Sequence, residues 1–176
     1  MTSFAFVTTI ASLVLFAGFV ILGEETFGQL PSYSAYAAKW TEKVPMHNVY
    51  LWSLVTIIVA LLLVPAMLEV GEGNILQCLG FFAPIYLVVV GFTPEWETNP
   101  TQKKVHVIGA SLCALIATLW IVLVCRLWWV ALCALALMLG ISIATKRFKG
   151  NYVFWGEMAL FAATYATVFI RGAQLS

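Results

Sequence analysis

The sequence predicts an all-α, polytopic transmembrane helix bundle of six spans with both termini on the outer side. Three observations predict it. The first is composition: 62% of the 176 residues are apolar and 10% are charged, where soluble domains carry about 25% charged residues. A mean hydropathy of +0.98 leaves too little polar material to clothe a water-soluble globule, and lipid is the solvent that suits such a chain. The second is the recurrence of apolar runs close to the roughly 20 residues that a helix needs to cross hydrocarbon. The third is the sidedness of the cations, which requires the runs to alternate in direction.

Taken in order, the spans fall at about 4–22, 49–68, 75–92, 105–125, 127–145 and 153–170, and together they make residues 1–176 a single transmembrane domain. The first begins without basic residues and closes without a small-x-small cleavage site, so it is expected to be a retained span and not a signal peptide. The second carries Pro65 near its end, and the third carries Pro84, where a kink is expected. The Gly71 and Gly73 turn between them makes a tight hairpin with Glu69, Glu72, Asn74 and Gln77 in solvent. In the loop over 93–104, Trp96 is expected at the interface and Pro100 is expected to block helix until the fourth span opens. The fourth and fifth are separated only by Arg126. One helix over 105–145 would be about 60 Å long, twice the hydrocarbon thickness of about 30 Å, so the chain must reverse near Arg126 although no Gly or Pro marks a turn.

Orientation follows from the cations. Lys39, Lys43, Lys103, Lys104, Lys146, Arg147 and Lys149 lie in the loops after spans one, three and five, and only Arg126 and Arg171 lie on the other side. The positive-inside rule places the lysine-rich loops in the cytoplasm, and the expected location is a bacterial inner membrane. With a formal charge of +1 and no charged tail, nothing points to nucleic acid. The expected partners are membrane lipids, a second copy of the chain or a membrane subunit. Cys78, Cys113, Cys125 and Cys133 form no CxxC pair and are expected to act as buried small hydrophobes.

The loop from Gly23 to Asn48 contains "LPSYSAYAAKW", too apolar for a solvated linker. It either lies in the interface with Tyr33, Tyr36 and Trp40 at headgroup level or folds back as a cap over a cavity between helices. This segment, the run "QCLGFFAPIYLVVVGFTPEWE" and "KKVHVIGA" opening span four together resemble six-helix bacterial membrane proteins classed under domains of unknown function, which are distantly similar to the damage-regulated autophagy modulator family. The resemblance rests on Pro31, Ser32 and Ser34 in a Pro-Ser-x-Ser segment and on His106, Gly109 and Ala110 in a His-x-x-Gly-Ala segment. It implies six helices and no particular activity. The chain departs from the tyrosine-rich form of that segment, with Ala37 and Ala38 after Tyr36.

Two ionisable residues stand inside spans. At 100° per residue, Gly109, Ala110, Cys113 and Ala117 share the face of His106, and a row of small residues marks a helix–helix contact in membranes. His106 is therefore expected to face protein. Glu157 lies within span six, with Thr164 and Arg171 near its face and Tyr165 and Thr167 beside them, a polar stripe that argues for an interior seam. His106 and Glu157 fall at similar depth and are expected to be neighbours, each reducing the cost of burying the other. The candidate polar core or ligand site is His106, Glu157, Thr164, Ser32, Ser34 and Tyr36. A structural role for each is the plainer alternative.

Several chemistries lack their residues. No GxxxxGK[ST] or HExxH stretch is present, and with no Asp in the chain the three-His-plus-Asp zinc sites of membrane hydrolases cannot be built. Zinc on His47, His106 and a Glu has no support from spacing, haem between His47 and His106 is geometrically conceivable but His47 precedes its helix, and no metal or cofactor is expected. Three functions remain: lipid or small-ligand binding in an intramembrane cavity, an accessory or scaffold role in a complex or homo-oligomer, and an enzyme with His106 and Glu157 as an intramembrane acid/base pair. Ser32 and Ser34 are the available hydroxyls for the last.

Overall fold

A computed structural model describes residues 1–43, 49–94, 96–146 and 151–175, and every regular element among them is helical. His47, Arg147 and Lys149 lie outside the described residues, and so do the His47 metal and haem alternatives. The elements are α1 (Ser3–Phe27), α2 (Tyr33–Lys43), α3 (Val49–Glu69), α4 (Leu79–Gly91), α5 (Pro100–Leu119) with a π-turn over Trp120–Val124, α6 (Trp128–Ala144) and α7 (Tyr152–Gln174). α1, α5 with its π-turn, and α7 are each long and apolar enough to cross a membrane, while α4, α6 and the Ser53–Glu69 part of α3 are shorter apolar helices.

α1 starts where Thr2 Oγ1 accepts from Ala5 N at 3.3 Å. It runs through Glu24 and Glu25 to Gly28, whose φ of 70° suits glycine alone and whose N–H closes on Glu24 O at 2.9 Å. One face of α1 is Thr8, Thr9 and Ser12, all buried. Thr8 and Thr9 return their hydroxyl protons to Ala5 O, and Ser12 donates across to Val59 O on α3 at 2.8 Å. Small, internally satisfied polar residues let two helices approach closely in an apolar medium.

The segment after α1 is neither a linker nor an interface strip. It is helix α2, and Tyr33 and Tyr36 are 3% and 0% exposed, so they sit in protein and not at headgroup level. Ser32 caps α2 by accepting from Ala35 N at 3.1 Å. The tyrosine rings explain the burial: Tyr33 packs against Phe16, Phe19 and Phe161, and Tyr36 lies so close to α1 that a Cβ on Gly23 would stand 2.6 Å from its ring.

α4 begins four residues after the expected 75. Asn74 Oδ1 accepts from Leu76 N at 2.9 Å, and Gln77 Nε2 caps Leu68 O at 2.8 Å, so residues 74–77 serve the hairpin, and Ile75 is 95% exposed. The α3–α4 seam is tight at Gly80, where a Cβ would stand 2.7 Å from Met67 O and 2.9 Å from Trp120 Nε1. Pro100 opens α5 where it was expected to delay it: Asn99 Oδ1 accepts from Thr101 N and Gln102 N, and proline at the first helical position lacks only a donor that would have no partner there.

The reversal at Arg126 is made without glycine. Cys125 N reaches back to Trp120 O, and Leu127 N to Ile121 O, both at 3.0 Å. The widened last turn sets the chain sideways, and Arg126 takes φ 57°, a left-handed conformation that costs a non-glycine residue about 1–2 kcal/mol. The cysteines do not all act as core: Cys125 is buried and Cys113 half-buried, but Cys78 and Cys133 are exposed on an apolar exterior.

In the assembled bundle, α1, α3, α4 and α5 pack in succession, α6 lies on α7, and α2 is wedged against α1 and α3. Phe16 and Phe161 stack at 4.1 Å and bring α7 onto α1. Trp120, Met67, Ile121, Val59 and Val168 form the most deeply buried centre. At one end of the bundle Thr2 donates both its hydroxyl, at 2.7 Å, and its amide to the Glu69 carboxylate, and Met1 N lies 3.4 Å from Gly172 O.

Candidate functional site

A cleft of about 90 Å³ lies between α3, α4, α5 and α7 and is closed at one end by α2. Leu63 and Met67 of α3 and Ala83, Pro84, Leu87 and Val90 of α4 form its apolar back wall. α5 contributes His106, Ala110, Cys113, Ala114 and Ala117, and α7 contributes Glu157, Leu160, Phe161 and Thr164. From His106 to Ala117 along α5 is about 16 Å at 1.5 Å per residue, so the cleft is a narrow slot running with the helices. Ala110, Cys113, Ala114, Leu160 and Phe161 are only half-buried, and the slot is open between α5 and α7. Ser34, His106 and Glu157 lie toward its α2 end, and Thr164 lies two turns further along α7.

The small-residue face of α5 divides the work. Gly109 meets α4 closely, a Cβ there standing 3.2 Å from Val89 and 3.5 Å from Tyr86 O. Ala110, Cys113 and Ala117 leave the slot beside that contact. His106 is 4% exposed and held by the loop between α4 and α5. Its Nδ1 lies 2.9 Å from Thr93 Oγ1, and that hydroxyl lies 2.8 Å from Val90 O. A carbonyl cannot donate, so the single hydroxyl proton goes to Val90, and the imidazole must donate from Nδ1. In the neutral ring Nε2 is then the acceptor. Trp96 covers the ring in a parallel stack at 4.8 Å and reaches Ser34 O with its Nε1 at 3.5 Å. Half-buried, it packs over the imidazole at the loop.

Glu157 serves a different partner. Its Oε2 accepts from Tyr33 N at 2.6 Å, placing a carboxylate at the N-terminus of α2, where the first-turn amides lack intrahelical acceptors and the helix dipole favours negative charge. One turn earlier on α7, Phe154 N donates to Pro31 O at 2.9 Å. α7 therefore holds α2 over the slot by two hydrogen bonds. His106 and Glu157 line the same cleft, but no ion pair joins them among the described residues; the imidazole is fastened to the α4–α5 loop and the carboxylate to α2.

The other candidates divide likewise. Ser34 and Thr164 line the slot, and Thr164 returns its proton to Leu160 O at 2.9 Å, leaving an acceptor oxygen. Ser32 lies 3.1 Å from Ser34, oxygen to oxygen, and caps α2. Tyr36 is outside the cleft, between α1 and α7, with its hydroxyl 3.4 Å from Leu30 N and its ring facing Phe154. Sequence reasoning passed over Tyr33, Thr93 and Trp96 as site residues. Tyr33 and Trp96 carried the signal of aromatics in an ill-defined loop beside the two ionisable spans, whereas Thr93 carried none. Among the described residues no group of three or more His, Cys, Asp or Glu comes together.

Compared with protein-family models, with curated proteins and with solved structures, the chain matches none of them.

Proposed function

We propose that this chain is a six-pass protein of a bacterial cytoplasmic membrane, with its termini outside, that binds a lipid or small amphiphile in the α2-capped cleft. The observation that carries the reading is the polarity of the slot: mostly apolar along about 16 Å of α5, with its two ionisable side chains, His106 and Glu157, and Ser34 toward the α2 end. Its lateral opening would face hydrocarbon, so an acyl or isoprenoid chain can enter without crossing water. The polar end is rich in acceptors. Glu157 has its second carboxylate oxygen, the His106 ring when neutral has its Nε2 lone pair, and an uncompensated acceptor in an apolar setting is costly. A ligand head bearing hydroxyl or amine donors suits that end, and a phosphate or carboxylate head does not.

Mass spectrometry of organic extracts from the detergent-purified protein tests this reading. Wild type should retain an amphiphile with a hydroxyl or amine head in near-stoichiometric amount, and Ala114→Leu, which projects a larger side chain into the slot, should lower retention about ten-fold, a loss of about 1.4 kcal/mol. A wild-type protein that carries no amphiphile, and takes none up when one is supplied, rejects the proposal.

A further inference from the structure

Arg126 and Arg171 are the two cations that do not belong to the lysine-rich loops. They come from separate elements, the α5–α6 reversal and the last turns of α7, yet they line one polar pocket of about 350 Å³ at the end of the bundle opposite His106 and Glu157. Gly71, Glu72 and Asn74 of the α3–α4 hairpin and Cys125 complete it. Arg171 Nη1 donates to Gln174 Oε1 at 2.8 Å, but its Nε is buried with no hydrogen-bond partner. Arg126 is exposed at the left-handed turn, and neither arginine forms an ion pair among the described residues. Glu72 lines the pocket without pairing to either, and Glu69, one turn away, is taken by Thr2. Trp128 and Trp129 stand exposed two and three residues after Arg126, as aromatics do at a membrane–water boundary.

We propose that this pocket is a phosphate-type oxyanion site, held by the Arg126 and Arg171 guanidinium groups. Two planar forks from different elements match the geometry of a tetrahedral oxyanion, and among the described residues no carboxylate pairs with either of them. The source is either the headgroup of a phospholipid in the adjoining leaflet or a soluble phosphate. The site is separate from the cleft and stands without the ligand proposed there.

The test uses the full chain in a phosphate-free maltoside detergent at fixed ionic strength, with tryptophan fluorescence as the readout. Inorganic phosphate, dihexanoyl phosphatidic acid and dihexanoylglycerol are titrated separately. Saturable binding of phosphatidic acid alone supports the site with a lipid headgroup as its source, and binding of inorganic phosphate as well supports it with the soluble anion as a sufficient ligand. Arg126→Gln and Arg171→Gln should each weaken binding about ten-fold, and Glu72→Gln should tighten it by removing a like charge. Arg126 is exposed, so Arg126→Gln carries the test should Arg171→Gln fail to fold. No saturable binding of either phosphate compound to wild type, dihexanoylglycerol binding as well as phosphatidic acid, or undiminished binding by Arg126→Gln would each overturn the proposal.

Discussion

A single hydroxyl proton decides the state of His106. Thr93 gives its proton to Val90 O and its lone pair to Nδ1, so the residue that looked like a bare histidine entering a membrane is held in one tautomer and one orientation. Ser12 repeats the logic: it donates to Val59 O, and Tyr165, 2.8 Å away, must therefore donate to Ser12. These pairs are satisfied within protein, as an apolar surrounding demands. Thr93→Val keeps the shape and removes both functions of the hydroxyl, leaving the buried imidazole without its side-chain partner. The expected cost is about 1–3 kcal/mol, read as a lowered midpoint of thermal unfolding in detergent. Thr93→Ser should recover most of it, because the serine oxygen occupies the same place. Equal stability of the valine variant and wild type would mean that the Thr93–His106 bond does not hold the ring.

At the scale of elements, the long helices were legible because an apolar run of span length has few alternatives in a chain with so little charge. What escaped were ends and short pieces, where one side chain outweighs a run. Asn74 and Gln77 withdraw residues 75–78 from α4 into the hairpin, and Asn99 recruits residues 100–104, four of them polar, into α5 ahead of Val105. α2 was legible as a segment too apolar to be solvated, and a cap over a cavity was one of the two places open to it, but the contact that fixes it, from Glu157 to Tyr33 across 124 residues, was not. His106 and Glu157 were rightly suspected of facing protein, whereas their separate partners could not be read from helical periodicity, which orders residues on one helix and says nothing of the neighbour's loop. Glycines report the seams between elements. Gly80→Ala would set a Cβ against a backbone carbonyl of α3 and the buried Trp120 indole, neither able to withdraw, and should cost about 1–3 kcal/mol as overpacking does. Gly140→Ala on α6, where a Cβ meets nothing within 4 Å, is the control and should unfold with wild type in the same assay.

For the whole molecule the central feature is a division of polar function between two ends. One end holds the capped mouth of the slot with His106 and Glu157, and the other holds the Thr2–Glu69 clasp and the two arginines, with an apolar body between them. The lysines follow the same division: Lys103 and Lys104 at the start of α5 and Lys146 just after α6 sit at the His106 end. Each Lys or Arg carried to a helix centre costs about 2.5–3.5 kcal/mol on the insertion scale, so reversing the bundle would require translocating the whole lysine-rich set in place of two arginines. The two ends should therefore answer to opposite sides of the membrane. In a background with all four cysteines replaced by serine, which is needed because Cys78 and Cys133 are exposed, Lys104→Cys and Glu72→Cys place one thiol at each end. A membrane-impermeant maleimide should label Glu72→Cys in intact cells and Lys104→Cys only after the membrane is opened. Labelling of both from outside would show that α4, which joins the two positions, does not cross the bilayer. The reverse pattern would leave the bundle standing but place the His106 mouth outside, and the slot would then draw its ligand's polar head from the outer leaflet.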